Sequence, residues 1–348
     1  MSGAWDVINT AVNWAGNAGD FVDDISPAVG EELERIVPRD HLVAAGATRV
    51  GAFIIEVGER RHVWEMPSPA WALSRSTLDE VLLEKARAAG ADVIQPAMVQ
   101  RVEYTDDRAI VSVTDGPHLN ADLVVHADGS GRHDLAGPVP TAKGLIGHKC
   151  HLRVPEGVIE GVTIRACPGA YVGTIRVEGG LATCALVAAA RLTTEHGGDL
   201  DSLLKRLWPR YQHECRATDW KSCGVARGGY QRPGHPRSLR IGNAAGAVDP
   251  IGGEGIGLAL WSGSLLAAIL ERLAGPEGDL TLPVLHRAEA QLGRAYRARL
   301  RTRLPACRAA AAVLSRPWLV RLMWPLVLAP SLSVRPWYAL TGKPLKAT

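Results

Sequence analysis

The sequence predicts an α/β fold, α+β overall, in which an α/β domain is interrupted by an antiparallel β-sheet domain and followed by a helical C-terminal region. Three observations carry this. A strongly signalled helix at Ser74–Gly90 is followed by β-branched runs. From about Thr141 to Ala190 the chain turns into short alternating segments punctuated by glycine. At Leu239 a strand end, a glycine-rich loop and a long apolar helix resume the α/β pattern.

In chain order, "TRVGAFIIEVGERRHVWEMP" reads as two strands joined at Gly58. In "SRSTLDEVLLEKARAAG", Ser76 and Asp79 read as a capping box, Leu78, Leu82 and Ala86 as an apolar stripe, and Gly90 as the stop. "ADVIQPAMVQRVEY", "AIVSVTDG" and "ADLVVHADG" supply three short β runs. "KCHLRV", "GVTIRAC", "AYVGTIRVEGG" and "LATCALVAA" alternate as antiparallel strands do. A helix is expected near Leu200–Gln212, a strand end at Leu239–Ile241 and a helix from about Gly255.

Composition narrows the class. The 348 residues suffice for one large domain or two medium ones. The net charge of +3 is a mild excess, read as spread along the chain, which argues against nucleic acid as partner. The arginines of "RAYRARLRTRLPACR" (Arg294–Arg308) read as a solvated helix face ahead of the alternative, a patch for an anionic surface. The six cysteines form no C-x-x-C pair, so they read as free thiols of a reducing compartment. "GHKCH" (Gly147–His151) would alternate its side chains across a strand, which disfavours a metal site. No signal-peptide pattern opens the chain. The most apolar stretch, Pro317–Leu340, is interrupted by Arg321 and three internal prolines. The expectation is a cytoplasmic protein, with a peripheral membrane contact through that C-terminal stretch left open.

The loop "IGNAAGAVDPIGGEGIGLAL" carries the chemistry. A helix N-terminus exposes unpaired N–H groups and a partial positive charge, and glycines before it let a flat ligand approach the backbone. This stretch resembles the third flavin motif of the class A FAD-dependent oxidoreductases and monooxygenases. "SRSTLDEVLLEKARAAGADV" resembles the Arg-bearing segment of that family, and "ADLVVHADGSGRHDLAG" its A-D-G motif. "GAYVGTIRVEGGLATCALV" and the terminal "YALTGKP" resemble the geranylgeranyl-reductase-like branch. The resemblance implies an incomplete Rossmann-like FAD-binding domain and a substrate domain. Residues 1–46 would be a remnant of the N-terminal unit, and 47–70 strands of the substrate domain. Residues 71–140 would be the α/β part of the FAD-binding domain, 141–234 the substrate domain, 235–275 the glycine loop with its helix, and 276–348 the helical C-terminal region.

The resemblance further implies FAD as cofactor, with NADPH or NADH as a candidate reductant. Gly242 and Asn243 would face its ribityl and phosphate portion. Pro250, Gly253, Glu254, Gly255 and Ile256 would bring the helix N-terminus against the isoalloxazine. Arg75, Asp128 and Gly129 would line the same cleft. Asn243 departs from the usual Asp of the family; it keeps an acceptor oxygen and loses the charge. The G-x-G-x-x-G unit is missing from the sequence, and "ISPAVGEELERI" resembles what normally follows it.

Two functional expectations therefore stand together. One is an FAD-dependent reductase or monooxygenase acting on a bulky apolar small molecule: a polyketide, an isoprenoid or an aromatic compound. The other is a flavin-free or decayed relative serving as a binding or scaffold protein. No acid or base is assigned; His148 and His151 are named only because they lie in the expected sheet. A halogenase is disfavoured by the lack of W-x-W-x-I-P, and a serine hydrolase by the lack of G-x-S-x-G.

Overall fold

A computed structural model describes residues 24–25, 27–129, 141–226, 229–275 and 278–327. The expected remnants "WDVI" and "AGNAG", the end of the A-D-G motif and the terminal "YALTGKP" lie outside the described residues.

The described residues begin with β1 (Asp24–Ile25), α1 (Pro27–Ile36) and α2 (Arg39–Ala44). The hairpin β2 (Thr48–Val57) and β3 (Arg60–Ala72) follows. Its turn sits at Gly58, at φ +60, as expected. Helix α3 (Arg75–Ala88) ends before Gly90, but its N-cap is Ser74, not Ser76. The Ser74 Oγ accepts from the Thr77 N–H, and Glu178 reaches in from a distant turn to accept from Ser74 and Thr77. A capping partner 104 positions away has no signature in the local sequence.

Strands β4 (Val99–Tyr104), β5 (Ala109–Val113) and β6 (His118–Ala121) form an antiparallel three-stranded sheet, so most of this stretch is not parallel α/β. The segment "ADVIQ" stays out of it: Pro96 has no N–H to give a ladder. Strand β7 (Val124–His126) leaves the meander.

The antiparallel expectation for the next stretch holds. Strands β8 (Thr141–Arg153), β9 (Val162–Cys167), β10 (Ala170–Arg176) and β11 (Leu181–Ala189) pair antiparallel in the order β9-β10-β11-β8. Helices α4 (Ala190–Glu195) and α5 (Leu200–Leu207) follow, the second ending five residues short of Gln212. Strand β12 (Lys221–Ala226) adds to the β8 edge. On the other side β2 pairs with β9 in parallel, which makes one eight-stranded sheet, β1-β3-β2-β9-β10-β11-β8-β12.

Strand β13 (Ser238–Arg240) runs parallel to β7. The short α6 (Gly242–Ala245), the long α7 (Gly255–Ala274) and α8 (Leu282–Leu314) come next, then α9 (Pro317–Leu322) and α10 (Trp324–Val327).

The burial of β10 and β11 on both faces explains why "LATCALVAA" is nearly all apolar, with Thr183 its one polar side chain, rather than alternating as expected. Successive side chains point to opposite faces, and both faces are covered. Val172 and Leu186 pack with Leu203, Leu204 and Tyr211 under α4 and α5. Tyr171 and Val187 pack the other way, with Ile251, Cys307, Leu314, Val320 and Trp324. Helix α7 is long and apolar enough to cross a membrane, but its buried residues enter two cores of the protein. Ile256 joins Val29, Leu33, Trp71 and Leu78; Leu258, Leu266 and Ile269 join Leu239, Leu292 and Tyr296.

Candidate cofactor cleft

Because β7 and β13 run parallel with Arg240 opposite His126, their carboxyl ends open at one place. Asp128 and Gly129 follow the first strand there, and Gly242 and Asn243 the second. Crevices at such ends collect ligands because helix N-termini open into them. Gly129 at φ +67 and Gly242 at φ +58 both sit in the left-handed region that favours glycine. The Gly242 N–H donates to Ser262 Oγ at 2.8 Å, and its C=O accepts from the Tyr296 hydroxyl at 3.1 Å. The turn is thereby pinned to both α7 and α8.

Beneath Asp128 lies a group that the sequence reading missed. His126 and Arg240 are buried, and the Tyr104 hydroxyl lies 3.0 Å from His126 Nε2. His235 stacks on Tyr104 at 4.8 Å. Burial pulls the His126 pKa down, against the attraction of Asp128 and with the repulsion of Arg240. Burial also lowers Arg240, with Asp128 opposing. Nothing in the one-dimensional pattern marks these residues, which come together from three strands and, for His235, the segment before β13.

The second half of the cleft is the glycine loop. Asp249 caps a short 3-10 turn, Pro250–Gly252, by accepting from the Ile251 N–H at 3.1 Å. Its Oδ1 also accepts from the Tyr171 hydroxyl of β10 at 2.7 Å, which ties the loop to the large sheet. Burial raises the Asp249 pKa, and the two hydrogen bonds oppose that. Asp249 was legible as a capping residue before Pro250; its partner 78 positions away was not. A Cβ on Gly252 would lie 2.9 Å from Cys307 Sγ, so the loop rests directly on α8.

Gly253 adopts φ +58, and Glu254 occupies the N-cap position of α7. Its carboxylate is only 4% exposed. Oε2 accepts from Arg303 Nη1 at 2.8 Å, Arg299 Nη2 stands 4.0 Å away, and Oε1 is buried with no hydrogen-bond partner among the described residues. Arg303 therefore corrects the reading of the arginine-rich helix as a solvated face: one of its stripes turns inward to neutralise Glu254. Burial, then repulsion from Arg303, lowers the Arg299 pKa to about 10. The N-terminus of α7 has no side-chain cap and no acidic residue in its first turn. Gly255 starts the helix, and Ile256 packs inward. A Cβ on Gly257 would collide with Val29 Cγ2, so α1 docks against the same end.

Arg75 opens α3 and pairs with Asp79 on its own helix at 2.9 Å. Its helix reaches α7 through a shared core containing Leu78 and Ile256. The histidines divide. His148 shares the even-numbered face of β8 with Cys150 and Leu152, on the α4–α5 side. There its Nδ1 lies 2.7 Å from Ser222 Oγ and its Nε2 3.3 Å from Thr193 Oγ1. The glycine loop packs on the opposite face, so His148 is not an acid or base at this cleft. His151 lies on the other face of β8, toward the end of the strand beyond the glycine loop's packing site.

No family model and no curated protein sequence matches the chain. Solved structures do match. PqsL, a probable FAD-dependent monooxygenase from Pseudomonas aeruginosa, aligns with a TM-score of 0.67 at 17% identity, covering 89% of this chain and 90% of its own. The flavin-dependent brominase Bmp2 aligns at 0.64 and 16%, covering 92% and 83%. CtdE, solved with FAD and a substrate, aligns at 0.61 and 15%, covering 84% and 82%.

The fold is that of the FAD-dependent monooxygenases.

In this fold the chain places Asp128, Gly129, Gly242 and Asn243 at one crevice, with Pro250, Gly253, Glu254, Gly255 and Ile256 on the connected loop and helix end. The helix that Arg75 opens shares the core around Ile256 at that helix end.

Proposed function

We propose that this protein is an FAD-dependent oxidoreductase acting on a bulky apolar small molecule, in the class A flavoprotein family and nearest in motif to its geranylgeranyl-reductase-like branch. The observation that carries the reading is the uncapped α7 N-terminus, reached through a left-handed Gly253, in a fold shared with FAD-dependent monooxygenases.

The residues fit the ring end of the cofactor. The pyrimidine edge of a flavin carries C=O and N–H groups. The open N–H groups of α7 suit the former, and the donor-less Oε1 of Glu254 suits the latter. FAD would supply two-electron redox chemistry when bound, and the positive end of α7 would favour negative charge placed against it. The Glu254–Arg303 pair and the Asp249–Tyr171 hydrogen bond hold the loop in place for that role. Asp128 and Asn243 line the crevice where the ribityl and phosphate portion would lie.

An apolar substrate is supported by the partly buried Leu145, Ile164 and Ile55 on the sheet face beside the loop. Reduction and oxygenation are both within the chemistry of this class, with NADPH or NADH as the reductant to try first. The expected absence of a nucleic-acid partner and the cytoplasmic location belong to the same reading.

The test is the visible spectrum of the purified chain with and without added FAD. Flavin retained through gel filtration near one per chain supports the proposal and opens substrate trials. A colourless protein that takes up no FAD overturns it in favour of the flavin-free binding protein.

A further inference from the structure

Charge along this chain is not spread evenly, as the bulk value had been read. Residues 290–348 hold eleven Lys and Arg and no Asp or Glu, while residues 1–289 hold 28 basic against 36 acidic residues. A +11 tail on a −8 body is the asymmetry that marks an anionic partner surface. On α8 the exposed arginines 294, 301 and 308 recur every seven residues and share one helix face, with Arg297 beside them.

The helices that follow are apolar on two sides. Val320 and Trp324, four apart, are 2% and 7% exposed and pack into the sheet core. Trp318, Leu322 and Leu326, also four apart, point the other way at 62%, 70% and 56% exposure, with Met323 beside them. A short helix in a water-soluble fold needs only its inward stripe apolar; a second contiguous stripe marks a binding surface. Arg316 and Arg321 flank that stripe, both exposed. Arg321 stands beside the β2–β3 turn at Gly58, where the exposed Glu59 and Arg60 cancel in charge.

We infer that α9 and α10 form an interfacial membrane contact, lying on an anionic bilayer with Trp318, Leu322, Met323 and Leu326 sunk into the headgroup boundary and the arginines against lipid phosphates. Charge complementarity selects this occupant. A tryptophan and long aliphatic side chains edged by arginine, with no Asp or Glu in residues 290–348, suit an acyl-chain boundary beneath anionic headgroups. An exposed arginine held at such a surface is worth roughly a fivefold gain in partition. The contact requires no flavin, so it stands or falls separately from the proposed activity.

The experiment is co-sedimentation of the full chain with vesicles of phosphatidylcholine alone and of phosphatidylcholine with about one-third phosphatidylglycerol, at low and high salt. Wild type should pellet with the anionic vesicles and lose most of that binding in high salt. The triple variant Trp318→Ser, Leu322→Ser, Leu326→Ser and the double variant Arg316→Glu, Arg321→Glu should each lose at least about tenfold in partition. Circular dichroism confirms that both remain folded, as expected for exposed positions. No binding by wild type, equal binding to neutral vesicles, or variants that bind like wild type would each overturn the inference. So would a concentration-dependent dimer, formed without lipid and abolished by the triple variant, because the stripe would then belong to a second copy.

Discussion

Glu254→Gln removes the buried negative charge at the N-cap of α7 while keeping the shape of the side chain. In the native protein Oε2 and Arg303 Nη1 are 2.8 Å apart, with both side chains nearly excluded from water and Arg299 4.0 Å away. Removing one partner of a buried pair costs about 3–5 kcal/mol because the other charge is left desolvated. The glutamine carbonyl still accepts a hydrogen bond from Arg303, which returns about 1 kcal/mol. The expected loss is therefore about 2–4 kcal/mol, read as a lower urea midpoint at unchanged slope. Adding Arg303→Met removes the stranded cation. The double variant should then be more stable than the sum of its single effects by more than about 1 kcal/mol. A Glu254→Gln protein within about 0.5 kcal/mol of wild type, or strictly additive single effects, would refute the claim that this ion pair holds the helix entrance.

Three further outcomes follow from the same geometry. Folded His148 stays neutral down to about 4, because burial disfavours its charged form, whereas an ordinary imidazole takes up its proton near 6.5. Acid therefore favours the unfolded chain as pH falls from about 6.5 to 4, and His148→Gln should flatten the stability–pH curve across that window in chemical denaturation. Tyr171→Phe leaves Asp249 only the Ile251 N–H and should cost about 1.5–3 kcal/mol in urea unfolding, with a weaker FAD titration if the loop carries the flavin. Gly253→Ala forces a Cβ into a left-handed backbone at φ +58 and should lose about 1–2 kcal/mol; retention of wild-type stability would place that residue outside the strained turn.

What the sequence determined on its own are the features encoded by neighbours. The hairpin at Gly58, the extent of α3, the four antiparallel strands and the loop leading to Gly255 all follow from turn residues and short periodicities within a dozen positions. The long-range partners were decided by the tertiary structure. Glu178 caps α3 from 104 positions away, and Arg303 turns inward to Glu254 across 49. Tyr171 meets Asp249 across 78, and His126, Arg240 and Tyr104 gather beneath Asp128 from three strands. Charge type and spacing along a helix do not say which stripe faces in, because burial is set by the element packed against it. The same limit applied to β8. Its alternation and that of β10 were legible, but only the packing of α4 and α5 on the even-numbered face turned His148 of β8 away from the glycine loop and Tyr171 of β10 toward it.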